Sequence, residues 1–283
     1  MRLININAIF DGTIEENLRE QNYSSSLCVR LRKKMGLIQV RGESKKIVDK
    51  VQKNDVITIV LQDCDIKHVA PKNIPIKIVY EDEDLAIIDK QACLAVINTR
   101  RHFGESLENA LANIWGDFVY RPVNRLDKDT SGLMIIAKNQ LAHSILNEEH
   151  IEKKYLALVD GKLLGEGDII APIDREEGTI IKRCVKETGK YAETHYKVIK
   201  NYSTYTLVEL TLKTGRTHQI RVHMAHIGHP LVADGLYNGG KNEAILDNGY
   251  VIKRQALHAS SLRFEHPILK KVIELSSKPD FID

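Results

Sequence analysis

The chain has 283 residues, enough for one large core with a small satellite unit. With 43% hydrophobic and 28% charged residues it has the composition of an ordinary soluble globular protein, and no apolar run approaches the length of a transmembrane helix. The net charge of +3 is unevenly spread: ten Lys/Arg stand against three acids between Arg19 and Lys53, a local +7 that leaves about −4 for the rest.

That asymmetry points to a basic N-terminal module that touches phosphate, the alternative being a solvated charged face. The opening Met1-Arg2-Leu3-Ile4-Asn5 turns polar at once and has no signal-peptide core. Cys28, Cys64, Cys93 and Cys184 are scattered with no CxxC pair, so four free thiols in a reducing cytoplasm are expected, not a zinc knuckle or disulfide framework.

In chain order, Leu27, Leu31 and Leu37-Ile38 frame a basic helix carrying Arg30, Arg32, Lys33 and Lys34, with Gly36 placed to end it. A short strand over Ile38–Val40 turns at Arg41-Gly42-Glu43, and a second strand spans Val56–Leu61 after Asn54-Asp55. This order is similar to the small RNA-binding domain of S4-type ribosomal proteins, with Asn54 where that motif has glycine. Asn tolerates a positive φ, so the turn is expected to survive. Pro71, Asn73 and Pro75 mark a linker over Asp63–Lys77, dividing the chain into 1–70 and 71–283.

Beyond the linker, strands are predicted at Ile76–Tyr80, Leu85–Asp89, Leu133–Ala137, Lys154–Val159, Thr194–Ile199, Thr206–Leu212 and Leu262–Glu265. Helices are predicted at Gly104–Ile114, at Asn139–Glu149 with Asn139 as N-cap, and at Thr217–Ile227, stopped by Gly228-His229-Pro230. Strands predominate without regular helical crossovers, so the expected fold class is α+β, with a mixed, largely antiparallel sheet plus the small N-terminal α/β RNA-binding module.

The run Asn124-Arg125-Leu126-Asp127-Lys128-Asp129-Thr130-Ser131-Gly132-Leu133-Met134 is the most informative. A carboxylate just ahead of a buried strand is held by the sheet yet exposed at its mouth, as a nucleophile or acid–base group would be. The competing reading is an Asp that bonds the backbone of a Thr-Ser-Gly turn.

Four blocks decide between them: this run, Lys153-Lys154-Tyr155-Leu156-Ala157-Leu158-Val159-Asp160-Gly161, the stretch Leu212 to His223 with Gly228-His229-Pro230-Leu231 and Asp234, and Gln255-Ala256-Leu257-His258-Ala259 with Phe264-Glu265-His266-Pro267. In this order, over about Ile76 to Pro267, they resemble the signature of the RluA-type pseudouridine synthases, which isomerise uridine in RNA.

The resemblance implies that Asp127 is the catalytic carboxylate, attacking ribose C1′ or removing the C2′ proton. It implies Arg221 as the cation that keeps it charged and oriented, and Tyr155 as the ring against the uracil, with a further role as base disfavoured by the ordinary phenol pKa of about 10. Arg125, two residues from Asp127 on an extended segment, would fill the space of a flipped uridine or clamp its phosphate. Thr130, Arg216 and His218, with the basic helix residues, complete the expected RNA contacts.

The implied partner is RNA, ribosomal first and transfer RNA second, with no membrane, no cofactor and no metal; a monomer is expected. Asn124 replaces the family's usual His, Gln91 and Cys93 its Pro and Gly, and Ala233 its Gly. The crowded His218, His223, His226 and His229 invite a metal reading, but no Cys or carboxylate joins them. Gly235 to Lys241 imitates a P-loop yet lacks the following Ser or Thr and is read as a surface loop. Two rivals stand beside the isomerase: an RNA-binding protein on the same fold, and a hydrolase working through Asp127 and Asp129.

Overall fold

A computed structural model describes residues 2–21, 23, 25–33, 35–61, 68–98, 104–116, 118–148 and 151–282. The N-terminal part contains β1 (Arg2–Asn7), β2 (Gly12–Thr13), α1 (Ile14–Glu20), α2 (Ser25–Lys33), β3 (Ile38–Val40), β4 (Glu43–Ser44), β5 (Lys50–Val51) and β6 (Val56–Leu61). Strand β1 alternates, burying Ile4 and Ile6 while Leu3 and Asn5 face outward, and pairs antiparallel with β6 in a four-stranded sheet of order β1-β6-β3-β4. Helix α1 opens with a capping box: the Thr13 side chain accepts the Glu16 N–H while the Glu16 carboxylate accepts the Thr13 N–H. Asn54 adopts φ 72° and Gly36 φ 79°, so both turns form as expected.

The remainder comprises β7 (Lys77–Glu81), β8 (Leu85–Lys90), α3 (Leu107–Trp115), β9 (Ser131–Ala137), α4 (Gln140–Glu148), β10 (Glu152–Asp160) and β11 (Glu166–Ile170). It continues with β12 (Ile173–Arg175), β13 (Arg183–Val185), β14 (Glu193–Asn201), β15 (Tyr205–Leu212) and α5 (Gln219–His226). The last strands are β16 (Ala244–Ile245), β17 (Val251–Ile252), β18 (Leu257–Glu265) and β19 (Val272–Ser276).

Nine strands form one sheet of order β11-β14-β15-β10-β18-β9-β8-β7, with β19 on the far half of β18. Every pairing is antiparallel except the short β18–β9 contact, giving the mixed α+β sheet that the strand-rich pattern implies. The seven residues of β9 are buried throughout, which makes it the spine of the molecule. Apolar side chains cover both of its faces, with Met134 and Ile136 in one cluster and Leu133 and Ile135 in another.

Helix α4 begins as predicted at its Asn139 cap, whose Oδ1 accepts the Ala142 N–H at 2.9 Å. Its Leu141 and Ile145 join the apolar cluster of the N-terminal part. Helix α5 starts two residues later than predicted. His218 takes a left-handed φ of 56°, and the Gln219 side chain instead ties down Thr214 and Arg216. Among the described residues no helix is long and apolar enough to cross a membrane.

Candidate active site

Asp127 owes its position to a hairpin-like return. Residues 121–124 run beside β9, with the Val123 N–H bonded to Ile135 O and the Ala137 N–H to Arg121 O, both at 2.9 Å. The chain then reverses through a turn closed by the Thr130 N–H to Asp127 O, and Ser131 opens β9. Asn124 is buried in this return, accepting the Ile135 N–H at 2.8 Å and donating to Leu133 O. It stitches the segment to the spine, a structural task that needs no proton transfer.

From the other side, the strand opening of β18 clasps the turn. Gln255 Nε2 donates to Thr130 Oγ1, His258 Nδ1 lies 2.9 Å from Ser131 Oγ, and the nearly buried Arg254 reaches Asp129 O and Ser131 Oγ while pairing with Asp280. Gly132 is required here: at φ 112°, a Cβ would stand 2.3 Å from the Ala259 carbonyl oxygen. Beneath the turn lies Lys90, 1% exposed, donating to the carbonyls of Gln91, Leu94 and Lys128. Burial pulls its ammonium down to about 7, and among the described residues it makes no ion pair.

The loop projects Asp127 into a cleft of about 760 Å3 whose walls include Tyr155, Arg125, Lys153 and the stretch Leu212–Arg221. Arg221 Nη1 donates to Asp127 Oδ2 at 3.0 Å. The same guanidinium donates from Nε and Nη2 to the two oxygens of Asp234, at 2.7 and 2.8 Å. Asp234 is fully buried and Arg221 nearly so. One face of the fork is thus locked to an internal carboxylate, and the remaining nitrogen can aim only at Asp127. Burial would weaken the charge on Arg221, but the two carboxylates outweigh it and hold its pKa above the ordinary arginine value.

Tyr237 lies across the guanidinium, 5.0 Å from Cζ to ring centroid, and its hydroxyl bonds His218 Nδ1 at 2.9 Å. His218 Nε2 stands 3.7 Å from Asp127. Burial lowers the His218 pKa despite the opposing charge of Asp127, so the ring is neutral near pH 7. Tyr155 reaches the cleft floor at a β-bulge, where Lys154 pairs with Ser261 but Tyr155 pairs with Ala259. Burial, then the charge of Asp127, push its phenol well above the ordinary value, so it is firmly neutral.

A family model described as RNA pseudouridylate synthase matches residues 84–226, a span from β8 through the end of α5. An RNA pseudouridine synthase of Bacillus subtilis (strain 168), YjbO, named as uncharacterized, is 35% identical over 269 residues, covering 92% of each chain. The chain belongs to the RNA pseudouridylate synthase family. The members of this family are isomerases that convert uridine to pseudouridine in RNA. A ribosomal large subunit pseudouridine synthase D of Haemophilus ducreyi (strain 35000HP / ATCC 700724) is 40% identical over 229 residues, 75% of this chain and 70% of that one. Among solved structures, human RNA pseudouridylate synthase domain containing 1 is similar with a TM-score of 0.60 and 26% identity, over 74% of this chain and 85% of that one.

Against this pseudouridylate synthase frame, Asp127, Tyr155, Arg221, Arg125, Arg216 and His218 meet around one cleft. Arg125 is exposed and is the cleft guanidinium without a protein partner among the described residues; Arg216 bonds Tyr191 O through Nε.

Thr130 and Arg32 are both engaged within the protein. Thr130 lines the cleft, yet it is 2% exposed and its hydroxyl accepts a bond from Gln255 that ties it to the turn. In α2, Arg32 is ion-paired to Glu15 of α1, a partner 17 residues away. Of the other basic residues there, Arg30 is half-buried with an interaction of its own, Lys33 is exposed, and Lys34, like Cys64, lies outside the described residues. The histidines do not converge on a common point: His223 bonds Thr194 Oγ1 and Ala171 O, and His229 bonds Asp160 O. The described group with metal-like spacing is Asp82, Asp84 and His266, where His266 Nδ1 accepts backbone N–H bonds and Nε2 donates to Asp82, an arrangement satisfied from within.

Residues that sequence reasoning passed over are Asp234 as the anchor of Arg221, Tyr237 from the loop dismissed as a P-loop imitation, and Lys90. Only Asp234 carried a readable signal, its place in the third block.

Proposed function

We propose that the protein isomerises uridine in large-subunit ribosomal RNA, with Asp127 acting directly on the ribose of a uridine flipped into the cleft. The observation that carries this reading is the shared guanidinium: Arg221, locked by Asp234, presents one nitrogen to the one carboxylate that the Asp127–Thr130 turn projects into the cleft.

The reaction breaks the bond from C1′ to N1, turns the uracil and joins C1′ to C5; N1 gains a proton and C5 loses one, so no atom is supplied or lost. An oriented, ionised carboxylate can attack C1′ or take the C2′ proton, and both routes are open to Asp127. Tyr155 offers an uncharged ring face for the turning uracil, and its raised pKa speaks for stacking. Arg125, unengaged and two residues away, is available to occupy the gap left by the flipped base, offsetting part of an unstacking cost of roughly a few kcal/mol.

The ribosomal choice rests on the named activity of relatives such as the Haemophilus ducreyi enzyme and on the basic N-terminal part, which we read as an S4-like RNA-docking module over residues 1–70 beside a catalytic unit over 71–283, acting as a cytoplasmic monomer. The hydrolase reading is disfavoured because Asp127 and Asp129 share one turn and cannot flank a sugar. Pseudouridine mapping of total RNA from cells with the gene, without it, and with an Asp127→Ala copy tests the proposal. Loss of pseudouridine at defined large-subunit positions, restored by the wild-type copy but not by the variant, is expected; loss confined to transfer RNA would move the substrate.

A further inference from the structure

Beside the cleft lies a second cavity of about 540 Å3 that shares Gly215, Arg216 and Thr217 with it. Its far wall is the β12–β13 hairpin, which supplies Arg175 and Arg183, and Lys190 completes the ring. Four cations thus surround one hollow, against a single acid, Asp174, whose Oδ1 accepts the Arg175 N–H. Among the described residues none of the four is in an ion pair: Arg183 and Arg216 each give one bond to a carbonyl, and the side chains of Arg175 and Lys190 give none.

The pairing register makes this costlier still. Arg175 and Arg183 sit directly opposite each other across the two strands, a like-charge pair that destabilises the hairpin unless an anion lies between them. The hairpin is nevertheless fixed to the catalytic wall: the Arg183 N–H donates to Tyr237 Oη at 2.8 Å, and the same oxygen bonds His218. Lys190 is held beside it by paired backbone bonds with Ile173. A concentrated, unneutralised positive charge, rigidly joined to the cleft rim, is built for a polyanion that also enters the cleft.

We infer that Arg175, Arg183, Lys190 and Arg216 form a phosphate track for the RNA strand that continues from the flipped uridine, so that the hairpin grips the substrate backbone outside the reaction cleft. This rests on the reading of RNA as substrate. Phosphates between Arg175 and Arg183 would relieve their repulsion, and contacts of this kind fix register without reading base identity.

The test measures RNA binding to the full-length triple variant Arg175→Gln/Arg183→Gln/Lys190→Gln as a function of salt, using an unmodified large-subunit rRNA fragment as probe. Each lost single-strand phosphate contact removes about 0.7 from the slope of log K against log salt, so the slope should fall by about 2 and Kd rise roughly tenfold or more at moderate salt. Arg175→Gln alone, an exposed position whose change removes a like-charge clash, guards against a folding defect and should lower the slope by about 0.7. Wild-type affinity and slope in both variants would overturn the assignment, as would weaker binding with an unchanged slope. A wild-type protein that neither binds the fragment nor forms pseudouridine would instead defeat the functional reading, leaving the two failures distinguishable.

Discussion

Asp234→Asn isolates the anchor behind the active-site charge pair. Asp234 accepts two bonds from Arg221 and also the N–H groups of Leu236 and Tyr237, all without exposure to water. Asn keeps the volume and one acceptor, but its amide nitrogen would face an arginine donor. Breaking a buried ion pair from one side costs about 3–5 kcal/mol. Asp127 at 3.0 Å and the surviving acceptor retain part of that, which leaves about 2–4 kcal/mol and a fall in Tm of roughly 5–10 °C. Freed on one side, the guanidinium no longer fixes the aim of its Nη1 nitrogen. A displacement of about 1 Å at a reacting group costs on the order of 100-fold, so single-turnover pseudouridine formation should fall by about that factor. RNA affinity should hold, because Asp234 does not line the cleft. The assay pairs thermal unfolding with rapid-quench turnover at saturating RNA. A variant with unchanged Tm and unchanged rate would refute the anchoring role.

Three further expectations follow from the same geometry. Lys90 is pulled from 10.5 in the unfolded chain to about 7 in the fold, so between these values the unfolded state binds more protons. Its contribution therefore makes the free energy of unfolding rise with pH in that window, by up to about 1.4 kcal/mol per pH unit, and urea titrations at several pH values should show this slope in wild type but not in Lys90→Met. Cys93 is exposed at φ 62°, so Cys93→Gly should stabilise by about 0.5–1 kcal/mol in chemical denaturation; a loss of stability would show that the thiol does more than occupy a strained turn. Tyr155→Phe should leave the RNA Kd within about twofold, because its hydroxyl has no partner among the described residues and the proposed stacking needs only the ring. A tenfold loss would assign the hydroxyl a binding role.

How far the sequence was readable varies with how local each determinant is. Apolar or β-branched runs such as Leu133–Ala137 and Thr206–Leu212, and stops such as Gly228-His229-Pro230, are short-range signals and emerged as strands and a helix end. The turn ahead of β9 was equally legible as a local pattern, whereas the role of Asp127 came from the resemblance of the four blocks. Strand β1 and the Thr13–Glu16 capping box also rest on local signals, an alternating run and a Thr-x-x-Glu spacing, that the sequence reading did not include. What stayed hidden depends on contacts between distant residues. Asp234 meets Arg221 across 13 residues, Arg254 reaches the Asp129 backbone across 125, and Glu15 neutralises Arg32 across 17. The β12–β13 hairpin has three-residue strands, too short for periodicity to show, so the cations it gathers around the second cavity could not be grouped beforehand. His218 shows a local rule failing at the site: a left-handed residue precedes α5 where the helix was expected to run on from Thr217.

The central claim is that Asp127 performs the chemistry, and an isosteric exchange tests it most directly. Asp127→Asn keeps an oxygen for Arg221 Nη1 and should bind RNA as wild type does. Single-turnover conversion of an unmodified large-subunit rRNA fragment, without ATP or metal, is expected to proceed with wild type and to drop by roughly 1,000-fold or more in the variant. Pseudouridine formation by Asp127→Asn at a rate near wild type would contradict the account.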